Sequence, residues 1–215
     1  MTAFEGLTAG TWTLDPAHSE VAFTVRHAGI SKVRGIFEQT EAELHAGETA
    51  QDSSVRATVQ IASINTKNEG RDGHVKGPEF FDAENHPQMV FESTEITADG
   101  EDLTLVGNLT IKGETRPVTF TGEFGGVAVD PFGTTRAGFS ASTTISRKDF
   151  GITWNAALEA GGVMGLGQGE DRDRRGVHRP AELIDAVARR HTLDAVAPAV
   201  SGAARCFGST PSATE

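Results

Sequence analysis

Apolar residues at every second position, broken by short glycine-containing turns, recur down most of this chain and leave few folds open to it. Val55, Ala57, Val59 and Ile61 show the pattern, and it returns in 89–97, 103–111, 118–127 and 137–145. A period of two puts one set of side chains on one face of a strand, so each run reads as a half-buried β-strand. The turn signals Asp99-Gly100, Lys112-Gly113 and Pro131-Phe132-Gly133 separate them at hairpin spacing. Many short strands with little helix between them predict an antiparallel barrel in preference to a sandwich or a parallel sheet.

Upstream, 12–14 and 21–27 read as one strand interrupted at Asp15 and Pro16, with Val21, Phe23, Val25 and His27 on one face. A turn over 29–32 follows. Then Val33, Gly35 and Phe37 alternate with Arg34, Ile36 and Glu38 in a run that continues to about Leu44.

Residues 65–93, NTKNEGRDGHVKGPEFFDAENHPQMVFES, stop alternating and crowd charge, histidine and aromatic rings together. Gly70, Gly73 and Gly77 limit any helix there to a turn or two. An insertion of this kind in an all-β chain covers an opening, because binding residues concentrate on connections held by a rigid scaffold.

A formal charge of −11 excludes the clustered Lys and Arg that a nucleic-acid partner requires. No run approaches the roughly 18 consecutive apolar residues of a membrane-spanning helix. The N-terminus MTAFEGLTAG lacks the basic and apolar regions of a secretory leader, and Cys206 is the single cysteine. These features predict a soluble, cytoplasmic protein.

Four motifs together carry a resemblance. LDPAHSEVAFTVRHAGISKVRGIF, the 65–93 segment, GNLTIKGETRPVTF and FSASTTISRKDFGI resemble the YceI-like family in order and spacing, over residues 11–164. The resemblance implies an all-β, lipocalin-like antiparallel barrel of about eight strands with a short helical insertion at the mouth of its pore. It implies a polyisoprenoid or other long amphiphilic lipid as ligand and a homodimer as a common assembly. Such a barrel needs no cofactor and performs no covalent chemistry.

The residue chemistry points the same way, since a polyprenyl chain offers only apolar surface, stabilised by about 0.8 kcal/mol per buried CH₂. Phenylalanine supplies such surface without a polar group to satisfy, and the chain has 12 Phe and no Tyr. The pore-wall candidates are Phe23, Val25, Phe37, Phe80, Phe81, Phe91, Phe139, Phe150, Ile152 and Trp154. About half of them are expected merely to fill ordinary core, as inward residues of small barrels do.

His18, Arg71, Asp72 and His74 are the polar candidates at the mouth, with His27 and Arg34 nearby in sequence. Their spacing matches no metal-ligand pattern. A structural role is expected: Arg71 and Asp72 tie the insertion to the rim, His18 holds the kink after Pro16, and Arg147 and Asp149 hold the turn before Phe150. Gly161-Gly162-Val163 lacks the Lys and Ser/Thr of a phosphate loop. Two other readings stand beside the carrier: an enzyme using the polar residues on such a lipid, and a stress-associated structural protein whose interior is only packed core.

From Gly165 the chain changes character. All five lysines precede it and seven of the 14 arginines follow it, while seven basic and seven acidic residues cancel within 165–215. The family pattern calls for one more strand here, to close the barrel against the first. Read one base later with suitable synonymous codons, 165–180 spells ASDKVKIEIDVEFIDR, whose Val, Ile and Phe alternate with charged residues as a closing strand requires. Residues 1–164 are therefore expected to form the lipid-binding barrel and 165–215 an atypical, partly disordered tail, read as out of frame with a genuine interaction tail as the competing reading. With the sequence as it stands, the barrel lacks its last strand and leaves edges unpaired; a short amphipathic helix is expected over 181–190.

Overall fold

A computed structural model of the chain describes residues 4–27, 31–154, 185–188 and 205–208. They form a strongly curled antiparallel sheet, a half-barrel extended by short strands. Its continuous part runs, in neighbour order, through β1 (Gly10–Leu14), β4 (Thr40–Ala46), β5 (Ser54–Gln60), β7 (Gln88–Asp99), β8 (Asp102–Ile111), β9 (Glu114–Val129) and β10 (Thr135–Ser142). β2 (Ser19–His27), β3 (Ser31–Phe37) and the two-residue β6 (Ile64–Asn65) make a second antiparallel group.

The alternation expected over 103–111 is realised in β8, where Leu103, Leu105, Leu109 and Ile111 are all buried. The same inward set continues through Met89, Phe91 and Ile96 of β7 and Phe120 and Phe124 of β9. One apolar core thus fills the concave side of the sheet.

Two boundaries differ from the sequence expectation. Residues 12–14 and 21–27 are separate strands with different neighbours, β1 on β4 and β2 on β3. The turn between them is built by Asp15, whose carboxylate accepts the Ala17 amide at 3.0 Å while its carbonyl accepts the His18 amide at 3.2 Å. The run from Val33 to Leu44 also breaks, at Glu38 and Gln39. There the backbone turns to Ser63: Glu38 N donates to the Ser63 carbonyl at 3.1 Å and Gln39 N to its hydroxyl at 3.0 Å.

Two short strands from the C-terminal part meet the open side. β11 (Asp185–Ala188) pairs with β10 and β2, and β12 (Arg205–Gly208) pairs with β10 and β1. Where the sequence predicts a helix over 181–190, the backbone at 185–188 is extended, because two flanking strands offer it unpaired amides and carbonyls. Among the described residues no full-length strand stands between β10 and β2. The edges expected to be bare are paired over these four-residue stretches. The domain boundary at 164/165, the out-of-frame reading of 165–180, the Gly161-Gly162-Val163 run and the centre of the turn over 29–32 lie outside the described residues.

The insertion between β6 and β7 carries α1 (Glu69–Lys76). Asn68 caps it, accepting the Arg71 amide at 2.9 Å, and Glu69 and Asp72 in the first turn with His74 and Lys76 in the last suit the helix dipole. The helix buries no residue. The chain leaving its C-terminal end anchors it: Lys112 Nζ reaches the Pro78 carbonyl at 2.7 Å, and the Pro87 carbonyl accepts the Ile61 amide at 2.9 Å.

Candidate functional site

The concave face encloses an apolar cavity of about 110 Å³. Leu44 of β4, Val55, Ala57 and Val59 of β5, Met89, Phe91 and Ile96 of β7, and Leu103, Leu105 and Leu109 of β8 form one wall. Phe120 of β9, Phe139, Ser140 and Ala141 of β10, Val21 of β2 and Phe4 from the N-terminal segment complete it. Among the described residues Ser53 and Ser140 are the only lining residues with a polar side chain, and none is titratable.

Of the ten wall candidates, Phe91 and Phe139 line this cavity. Phe91 stands edge-on to Phe120 with centroids 5.0 Å apart, and Phe139 packs between Phe4 and Phe124 at 5.6 and 5.0 Å. Phe23, Phe37 and Phe81 form a separate aromatic row beneath the insertion, with centroid steps of 5.5 and 6.0 Å. Gly35, paired with Phe23 across β2 and β3, makes that row fit: a β-carbon there would collide with the Phe23 ring.

Phe80 and Trp154 pack at 5.1 Å, and the His74 ring lies 5.1 Å from the first and 4.8 Å from the second, so these three form an aromatic cluster on the helical segment. Phe150 and Ile152 are core, 1 % and 6 % exposed, placed by a 3-10 turn over Arg147–Phe150 that ends at Gly151 in the left-handed region. Val25 is half-buried in β2, paired with Val33.

The aliphatic wall is what the sequence reading passed over. The alternation in β5, β7 and β8 marks those residues as one-faced, and that is the signal in the sequence that locates them.

The polar candidates fall in two places. Arg71 and Asp72 converge on Thr66, just after β6: Arg71 donates to the Thr66 hydroxyl and carbonyl, both at 2.8 Å, while Asp72 accepts the Thr66 hydroxyl at 2.5 Å and its amide at 2.9 Å. His74 Nε2 lies 3.2 Å from Glu79. His18, far off in the turn before β2, binds Asp15 through Nδ1 at 2.7 Å.

Asp15 also pairs with Arg136 of β10, whose Nε donates to Asp130 at 2.9 Å. Sequence reasoning missed that tie, which joins residues more than a hundred apart. Burial holds the Arg147 guanidinium below its ordinary pKa. Among the described residues no group of His, Cys, Asp and Glu could hold a metal ion, and no helix is long and apolar enough to cross a membrane.

A strongly curled antiparallel sheet around an apolar cavity defines a lipocalin-like fold. The chain belongs to the YceI-like domain family, whose match covers residues 12–167. It is 41% identical over 156 residues to a UPF0312 protein of Staphylococcus epidermidis, an alignment covering 71% of this chain and 88% of that one. The fold is shared with Burkholderia cenocepacia BcnA, at a TM-score of 0.62 and 21% identity over 92% of this chain and 99% of that one. It is shared too with a polyisoprenoid binding domain from Saccharophagus degradans, at a TM-score of 0.52 and 15% identity over 66% of this chain and 80% of that domain.

Proposed function

We propose that this protein binds and carries a long isoprenoid or similar amphiphile in its cavity, without changing it covalently, as a cytoplasmic carrier. The observation that carries the reading is the cavity wall: among its described residues only two serines are polar and none can take or give a proton. An unpaired polar group inside such a wall costs several kcal/mol, so the wall selects apolar chains. His18, Arg71, Asp72 and His74 are not among the lining residues, which weighs against acid–base work on the part of a ligand held there. The polyisoprenoid binding domain with the same fold adds support for the ligand class.

At about 110 Å³ the empty cavity holds a segment of such a chain. A longer ligand must turn wall side chains aside or leave its polar end outside. Native mass spectrometry of the freshly purified protein, followed by organic extraction, is the test. A bound mass that extracts as a polyprenyl compound is the expected result. Leu105→Trp, which fills the cavity from β8, should keep the fold and lose that mass; retention equal to wild type would place the ligand elsewhere.

A further inference from the structure

Among the described lining residues only Phe4 and Ser53 stand outside the strands, and the register puts both at one end of the sheet. Gln60 of β5 pairs with Gln88 of β7, so the insertion that precedes Gln88 lies at the end where β8 turns into β9. Lys112, in that turn, holds the Pro78 carbonyl of the insertion. At the opposite end His45 pairs with Ser54, Ala46 with Gly10, and Asp99 with Asp102. The segment leading into Gly10 therefore enters the concave face from the end away from the insertion.

That segment turns its apolar side chains inward, with Phe4 and Leu7 at 5 % and 4 % exposure. The Leu7 amide donates to the Phe4 carbonyl at 3.2 Å, and Gly6 between them supplies the left-handed φ of 82° in this tight turn. Trp12 Nε1 donates to the Thr8 carbonyl at 3.0 Å and fixes the exit toward β1. The Phe4 ring meets Phe124 at 4.8 Å and Phe139 edge-on at 5.6 Å. Phe139 lines the cavity and Phe124 is not among the described lining residues, so the Phe4 ring stands between open space and filled core. Beside it the turn after β4 is closed by its own bonds: Ser53 Oγ accepts the Gly47 amide and donates to the Thr49 carbonyl, both at 2.9 Å. The cavity thus has a floor at this end, made of one aromatic ring and one pinned turn.

We infer that Phe4 sets the length of chain that the cavity accepts. The inference rests on the carrier reading above and adds cargo length to it. An apolar chain gains affinity with each methylene it buries, until it meets a side chain that does not give way. At about 110 Å³ the cavity is small for a polyprenyl chain, so the position of its floor decides how much of the chain is buried. Phe4→Ala removes a phenyl ring, roughly the size of one isoprene unit. The space it opens reaches Phe124, itself buried and apolar.

Competition among prenyl alcohols tests it. Lipid-stripped wild type, Phe4→Leu and Phe4→Ala, each as the full chain, are offered an equimolar mixture of farnesol, geranylgeraniol and longer all-trans prenols, and native mass spectrometry reads what each retains. Phe4→Ala is expected to favour an alcohol one isoprene unit longer than wild type does, with the longer-to-shorter ratio raised at least about tenfold. Phe4→Leu should fall between them, and because it keeps an aliphatic side chain in the core it reads the shift even where Phe4→Ala does not fold. The same length preference in wild type and the variants overturns the inference. So does faster loading by Phe4→Ala with the preference unchanged, which would make the ring a gate at an entrance. Wild type that retains no prenol overturns the carrier reading, and the length assignment falls with it. Leu105→Trp should lose every alcohol in the series, whereas a change at Phe4 shifts the choice among them.

Discussion

Gly107 shows how closely the cavity wall is built. It faces Ser93 across β7 and β8, and a β-carbon there would meet the Glu92 carbonyl oxygen and lie 2.6 Å from the Phe91 ring. The ring could turn away, but the carbonyl is backbone. Gly107→Val is therefore expected to push Phe91 off Phe120 and to destabilise the protein by about 1–3 kcal/mol, the usual cost of overpacking. Thermal unfolding checks the stability and extraction checks the cargo, which should fall with it; an unchanged melting temperature would mean that β7 and β8 separate without strain. The closeness of Phe91 to Gly107 was not legible in the sequence. Alternation assigns a residue to a face but does not say which ring lies over which glycine, and for that reason Phe23, Phe37 and Phe81 looked like wall residues while they pack under the insertion.

At the scale of elements, the helix of the insertion has no fully buried side chain, so its position depends on the partly buried Val75, Phe80, Phe81 and Ala83 together with polar ties. Thr66 is the centre of these, buried at 5 % exposure and bonded by both Arg71 and Asp72. Thr66→Val keeps the shape, removes the hydroxyl and leaves two charged partners short of a bond, a loss of about 1–3 kcal/mol. Because α1 touches the core only through the half-buried Val75, the loss should fall on it locally. Amide exchange in 69–76 should quicken while that in β8 stays slow; uniform acceleration would mean that the insertion and the sheet open together. The short helix and the glycine limits on it could be read from 65–93 directly. So could the strands, since period two survives wherever one face is buried. Tertiary partners could not: Arg136 reaching Asp15 and Asp130, or Ser63 breaking the run after Phe37, depends on contacts that no local pattern records.

For the whole molecule, cargo and stability are one equilibrium. A ligand that binds only the folded sheet adds RT ln(1 + [L]/Kd), about 2.7 kcal/mol at a hundredfold excess over Kd. At about 2–4 °C per kcal/mol for a chain of this size, loading with a polyprenyl compound should raise the melting temperature by roughly 5–10 °C. Leu105→Trp supplies the control, since a filled cavity leaves the ligand no folded-state preference. Equal rises in wild type and Leu105→Trp would move the ligand off the concave face. A rise in wild type alone ties together the aliphatic wall of β5, β7 and β8, the curl that encloses it and the carrier role, because Leu105→Trp differs from wild type only inside that wall.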